Sequence, residues 1–182
     1  MADRTPRRPK PLDRAGLHDY ALRLLGGRAL SAGELRQRLA RRAAMAEDVE
    51  EVLAQLKQRG YLNDQRFAES FAASRLANDR FGSARVIRDL RQRRVAPSLA
   101  EGTVRQVYED VDESALIEEW IRRKYRAAPR EGLFQDEREL ASAYRRLARA
   151  GFRTGEIVRA LKKFARDPDL LDGFEPPEEE GE

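Results

Sequence analysis

An internal repeat constrains this chain more than any other feature. The apolar positions Leu35, Leu39, Ala44, Val49, Val52, Leu53 and Leu56 recur 51 residues later as Val86, Leu90, Val95, Ala100, Thr103, Val104 and Val107. They recur 57 residues further on as Ala143, Leu147, Phe152, Ile157, Ala160, Leu161 and Phe164, and Thr103 is the one polar residue among the 21. A fixed period of this kind marks an architecture of stacked supersecondary units. Spacings of i, i+3, i+4 and i+7 put the apolar residues on one helical stripe. Each copy thus reads as two helices around a short turn. The first ends near Arg42, Arg93 or Arg149, and the second starts near Glu47, Ser98 or Thr154. Ser31 with Glu34 and Ser98 with Glu101 have capping-box spacing, and Thr154 is placed to cap the last helix. Gly60 and Gly151 sit where a helix should stop.

A short helix pair cannot bury its stripe alone, so a third helix should close each core. Segments 18–25, 64–79 and 113–125 supply it. In the second, Asp64 is a natural N-cap, with Phe67 and Phe71 on one face; in the third, Ile117, Trp120 and Ile121 form the stripe. The third copy also carries an insertion, AAPREGLFQD. The expected fold is all-α: a tandem array of three three-helix, helix-turn-helix-like repeats at 15–62, 63–110 and 111–166, forming an elongated, curved body. Composition agrees. Arg, Ala, Leu and Glu are good helix formers, and no segment alternates apolar and polar residues over a strand's length. Charged residues make up 37%, which predicts a thin core and a large solvated surface.

The net charge of +4 hides a strong asymmetry. Residues 1–14 carry +3 and contain three prolines, and read as a disordered basic arm. Residues 167–182 carry eight carboxylates and no cation, and read as a disordered acidic tail. The segment between them, 15–166, is left with +9. A basic body suggests a polyanion or an acidic protein surface as partner.

Several function classes lack their residues. The chain has no cysteine and one histidine, His18, so disulfides and thiolate metal sites are excluded and no cofactor is expected. No phosphate-binding glycine loop, nucleophile elbow or zinc-protease motif occurs, and no enzyme activity is expected. No apolar run approaches the roughly 20 residues of a membrane span, and the N-terminus is not a secretory signal. A cytoplasmic monomer is the expectation.

The basic residues gather on faces. Arg85, Arg88, Arg91, Arg93 and Arg94 belong to the middle copy, and Arg138, Arg145, Arg146 and Arg149 to the corresponding helix of the third. Arg122, Arg123 and Lys124 end another helix, while Arg159, Lys162, Lys163 and Arg166 line the last one. These are the candidate contacts to a partner or nucleic acid. DNA, single- or double-stranded, would be bound through phosphates with weak sequence preference. Phe67, Phe71, Phe152 and Phe164 fit buried stripes rather than base stacking.

Three blocks carry a family resemblance. SAGELRQRLARR followed by LKQRGYLNDQRFAESFAASR closely resembles the first part of RecX proteins, with RGYLND at 59–64 the most specific element. FGSARVIRDLRQRRVAP at 81–97 resembles the family's middle block, and YRRLARAGFRTGEIVRALK at 144–162 its closing repeat. The family's usual glycine in the middle block is Arg94 here, while Gly151 keeps it in the third. The resemblance covers roughly 17–165. It implies tandem three-helix repeats that dock in the groove of the RecA–DNA filament. There they modulate, and mostly inhibit, recombinase, ATPase and coprotease activity in DNA repair by homologous recombination and in the SOS response. It brings no catalytic residues. Within its key motif Gly60 should end a helix, Tyr61 and Leu62 should pack, Asn63 leads on, and Asp64 should cap the next helix. The alternatives are a stand-alone helix-turn-helix-like DNA-binding protein or transcription regulator, and a nucleic-acid enzyme.

Overall fold

A helix in water starts where a side chain can take up its free N–H groups. The computed structural model, which describes residues 10–125 and 132–171, shows this at most helix starts. Asp13 caps α1 (Arg14–Gly27) by accepting from the Gly16 amide at 2.9 Å. Ser31 and Glu34 make the expected capping box on α2 (Ala32–Ala40). Then follow α3 (Glu47–Gln58), α4 (Asp64–Ser74), α5 (Ser83–Gln92) and α6 (Pro97–Val107). Asp112 caps α7 (Glu113–Lys124), Asp136 caps α8 (Glu137–Arg149), and α9 (Thr154–Phe164) is the last of the nine α-helices among the described residues. Among the described residues there is no strand, only isolated bridges between Leu12 and Ala43 and between Phe134 and Ala165.

Several local expectations need correction. Asn63, not Asp64, caps α4: its side chain accepts from the Arg66 amide at 2.9 Å. The Asp64 carboxylate instead accepts from the Ala32 amide at 2.7 Å, tying α4 to the start of α2. Ser98 lies inside α6, which begins at Pro97, where a missing N–H costs nothing. Thr154 is the first residue of α9, and its hydroxyl pairs with the Tyr144 hydroxyl. Tyr61 does not pack; it is 57% exposed, whereas Leu62 is buried. The buried stripe of α4 is Ala68 and Ala72, with Phe67 and Phe71 only partly covered beneath arginines. Ordered structure also extends beyond both expected limits. Leu12 and Asp13 pair and cap, and Pro168–Leu171 form a 3-10 turn that buries Leu171. Residues 1–9, 126–131, which include the first part of the insertion, and 172–182 lie outside the described residues.

The repeat positions are the core. All 21 are buried except Ala44, which is exposed, and Val107, which is partly covered. The chain divides into two compact units. One comprises the described residues up to Ala68 with Leu90–Ala100, the other Glu69–Asp89 with the described residues from Glu101 on. In the first, α1, α2 and α3 close around Leu17, Leu35, Leu39, Val52, Leu53 and Leu56. In the second, α7, α8 and α9 close around Ile117, Ile121, Leu140, Leu147, Ile157 and Leu161. Phe134 and Leu171 join that second cluster, and Phe134 meets the Tyr125 ring edge-on at 5.4 Å.

The turn after the second helix of each repeat exposes carbonyls that the helix itself leaves free. One repeat-equivalent carbonyl is taken in every copy. Leu12 N donates to Arg42 O at 2.6 Å, Ser31 Oγ donates to Arg93 O, and Gly82 N donates to Ala150 O at 2.8 Å. Arg94 adopts φ +61°, the left-handed conformation that Gly151 takes at +90°. The substitution of arginine for the family's glycine thus preserves the turn geometry.

Candidate nucleic-acid interface

In the second unit, arginines gather at the end of α8. Arg85 Nη1 and Arg88 Nη2 from α5 both donate to the Arg149 carbonyl at 3.3 Å. The Arg149 guanidinium folds back on the Arg145 carbonyl at 3.2 Å. Two guanidinium groups therefore converge on one carbonyl oxygen, while that residue's own guanidinium is held one turn back. Among the described residues the one carboxylate against this cluster is Asp89, at 3.9 Å from Arg85 and equally from Arg75. Arg88, Arg145 and Arg149 form no ion pair with a carboxylate among the described residues, and all three are exposed. A guanidinium has five N–H donors, so each arginine that caps a carbonyl keeps several free for a second acceptor.

Aromatic rings hold this cluster from below. Arg85 lies over the Phe81 ring at 4.0 Å, and Arg75 over Phe71 at 4.9 Å and Phe81 at 5.8 Å. Phe81 is fixed by the Tyr108 hydroxyl, which donates to its carbonyl at 2.8 Å. Burial, reinforced by the Glu113 charge, pushes that phenol well above its ordinary range and keeps it a donor. Arg75 and Arg80 were missed in the sequence. Arg75 had a signal, since it stands four residues after Phe71 and four before Asp79. Arg80 had none: it leaves the π turn Arg75–Asp79 at φ +56° and reaches Glu119 at 2.9 Å.

Other predicted contacts have structural duties. Arg93 binds Glu34 at 2.8 Å and the Ala29 carbonyl, and covers Phe67. Burial alone would raise the Glu34 carboxyl; hydrogen bonds from Arg28, the Ser31 amide and Arg93 outweigh it and hold Glu34 below its usual range. Arg94 reaches Gln37 at 3.2 Å. Lys163 at 2.6 Å and Arg122 at 2.7 Å share Glu118, and the Lys163 hydrogen bond leads in depressing that carboxyl. Arg159 pairs with Glu156, Arg166 with Gln135, Arg146 with the Tyr125 hydroxyl, and Arg123 with the Asn78 carbonyl. Arg91, Lys124 and Arg138 are exposed, and Lys162 is partly covered.

In the first unit a shallow groove of about 300 Å³ runs between α1 and α3, lined by Arg14, His18, Asp19, Gln55 and Arg59 among others. His18 is only partly exposed, and its Nε2 is buried there without a hydrogen-bond partner among the described residues. No described cluster of three or more His, Asp and Glu could hold a metal, and no described helix is long and apolar enough to cross a membrane.

Known proteins match both the sequence and the fold. Residues 18–56 match the model of the first three-helix domain of RecX, and 63–103 that of the second. A regulatory protein RecX of Trichlorobacter lovleyi is 33% identical over 141 residues, covering 78% of this chain and 90% of the relative. The RecX of Deinococcus radiodurans is 37% identical over 168 residues, covering 90% and 76%. The crystal structure of RecX from Lactobacillus salivarius superposes with a TM-score of 0.66 at 16% identity, over 86% of this chain and 97% of that one. Fold, repeat pattern and relatives agree, and the chain belongs to the RecX family of regulatory proteins.

Proposed function

We propose that this protein binds RecA and its nucleoprotein filament and restrains recombinase, ATPase and coprotease activity in DNA repair and the SOS response. The observation that carries the reading, beyond family membership, is the arginine cluster at the end of α8. The Arg85 and Arg88 side chains meet there on the Arg149 carbonyl, and among the described residues Asp89 is the one carboxylate paired with them. Such a cluster favours phosphate or an acidic protein surface, and a nucleoprotein filament offers both. Phosphate contacts made this way position a protein without reading bases, so weak sequence preference is expected. The chain is read as three repeats at 15–62, 63–110 and 111–166, acting as a cytoplasmic monomer without a cofactor.

The test is RecA's DNA-dependent ATPase and filament assembly, measured with the wild type and with Arg85→Gln/Arg88→Gln/Arg149→Gln. The wild type should slow ATP turnover at near-stoichiometric amounts, and the triple variant should need a large excess. A wild type without effect on RecA, but with a large affinity ratio for one duplex sequence, would overturn the reading in favour of a stand-alone DNA-binding protein.

A further inference from the structure

Tyr61, in the turn between α3 and α4, has no duty in the fold that its side chain performs. It is the one exposed aromatic among the described residues. The partly covered rings of Tyr20, Phe67, Phe71 and Phe81 each carry a guanidinium within about 6 Å of the centroid. The Tyr61 ring carries none, and its hydroxyl makes no hydrogen bond among the described residues. Its backbone, by contrast, is fixed. Gly60 turns the chain at φ +74°, the Tyr61 and Leu62 amides donate to the Leu56 carbonyl at 2.9 and 3.2 Å, and Leu62 is buried. A bare ring on a rigid turn binds without ordering the chain around it, which keeps the entropic cost of binding low.

Two cations flank the ring in the chain. Arg59 ends α3, and Arg66, in the first turn of α4, donates through Nη2 to the Gly60 carbonyl at 3.1 Å, on the peptide that leads into Tyr61. Both are exposed, and neither forms an ion pair among the described residues. The neighbouring carboxylate, Asp64, is turned to the Ala32 amide at 2.7 Å. Gln58 and Asn63, on either side of the turn, are exposed and polar. A protein hot spot is surrounded by contacts that exclude water, and this turn is polar and cationic instead. It suits an unpaired base stacked on the ring, with its flanking phosphates on the arginines. We propose that Tyr61, with Arg59 and Arg66, is a stacking platform for an unpaired base of single-stranded nucleic acid. Bases inside a duplex offer no free face, so the site favours single strands. Every base has a π face, so it adds no sequence preference. The platform goes beyond the reading above: it belongs to the first unit and uses none of the α8 arginines.

The experiment titrates the full chain with fluorescein-labelled oligothymidylate, an abasic strand of the same length and a duplex, starting at about 50 mM salt. Tyr61→Ser should weaken oligothymidylate binding about five- to hundredfold and leave the abasic strand and the duplex unchanged. Tyr61→Phe keeps the ring and should bind like the parent. Arg59→Gln/Arg66→Gln should lower the salt slope by about 1 on both single strands, because phosphate contacts need no base. Oligouridylate beside oligothymidylate shows which sugar the site takes. Tyr61 lies outside the core, so Tyr61→Ser should unfold at the parent's urea midpoint. Equal oligothymidylate affinities for Tyr61→Ser and the parent would overturn the proposal. So would an equal loss on the abasic strand, or no measurable strand binding by the parent. A Tyr61→Ser protein that binds oligothymidylate normally but no longer acts on RecA would make the ring a protein contact, and the proposal would fail. The Tyr61 effect should persist in Arg85→Gln/Arg88→Gln/Arg149→Gln, so failure of the α8 reading and failure of this one are told apart.

Discussion

Replacing Gly82 by alanine tests the joint between the start of α5 and the turn after α8. The Gly82 Cα faces backbone, not side chains. A Cβ there would lie 2.6 Å from the Phe152 amide nitrogen and closer still to the Gly151 carbonyl. Neither neighbour can rotate away, so the start of α5 must move. Two backbone hydrogen bonds cross this joint, Gly82 N to Ala150 O at 2.8 Å and Ala84 N to Gly151 O at 3.3 Å. Each contributes about 1 kcal/mol when made and costs about 1–3 kcal/mol if a buried partner is left unsatisfied. Val86, one turn on, is fully buried and would be dragged with the helix. Alanine recovers about 0.4–1 kcal/mol by restricting the unfolded chain. The net expectation is a loss of about 2–4 kcal/mol, within the range of damaging core substitutions. Gly102→Ala is the control, since it is exposed in mid-α6 with nothing within 4 Å of the new methyl. It should gain about 0.5–1 kcal/mol from helix propensity. Urea unfolding followed by far-UV circular dichroism and by Trp120 fluorescence measures both. A Gly82→Ala midpoint equal to or above the parent's would refute the close-approach argument.

Thr103 stands in the core where the other repeats have Val52 and Ala160, and its Oγ has no partner among the described residues. Thr103→Val should raise stability by about 1 kcal/mol in the same urea assay, and a lower midpoint would mean the hydroxyl has an acceptor. Leu90 is fully buried at the position shared with Leu39 and Leu147, so Leu90→Asp should abolish cooperative unfolding near its normal midpoint; an unchanged melt would sink that placement. Glu34 has a depressed folded-state pKa, so its contribution is complete above the ordinary glutamate range and is lost as pH falls through its lower folded value. Stability of the wild type should therefore fall more steeply than that of Glu34→Gln below the ordinary glutamate pKa, and parallel pH profiles would contradict this.

The repeat was legible because side-chain burial at helical spacing is a local pattern that survives in any context. Leu35, Leu90 and Leu147 announce themselves through their neighbours at three and four residues. The caps were legible only in part. Ser31 and Glu34 satisfy each other within four residues, so their role can be read from spacing. Asp64 serves the amide of Ala32, 32 residues away, and no local pattern encodes such a partner. The same limit applies to the basic residues. Arg93 and Arg88 look alike in sequence, and only the fold shows Arg93 occupied by Glu34 while Arg88 is open to solvent. Tyr61 misled for a different reason: Gly60 turns the chain at φ +74°, which sends Leu62 inward and leaves Tyr61 outside.

The arginine cluster follows from the same need that builds the joints. The ends of α2, α5 and α8 leave carbonyls without intrahelical donors. Leu12, Ser31 and Gly82 supply one equivalent carbonyl in turn, two with a backbone amide and one with a hydroxyl. What recurs is the acceptor's place, not the donor's identity. At α8 a further carbonyl, that of Arg149, is met by Arg85 and Arg88 side chains. Capping thus concentrates guanidinium groups at one point, and their remaining N–H groups are the donors the proposed anion contact would use. The two roles separate on substitution. Arg88→Lys keeps the charge but loses the planar fork, and Arg88→Gln loses both. If Arg88 contacts phosphate, Gln should weaken oligonucleotide binding and lower the salt slope by about 1, while Lys leaves the slope intact. If Arg88 only caps, neither variant should alter the slope and both should lower the unfolding midpoint slightly. Salt slopes for the three proteins decide between them. An unchanged slope in Arg88→Gln would assign the residue to the joint alone.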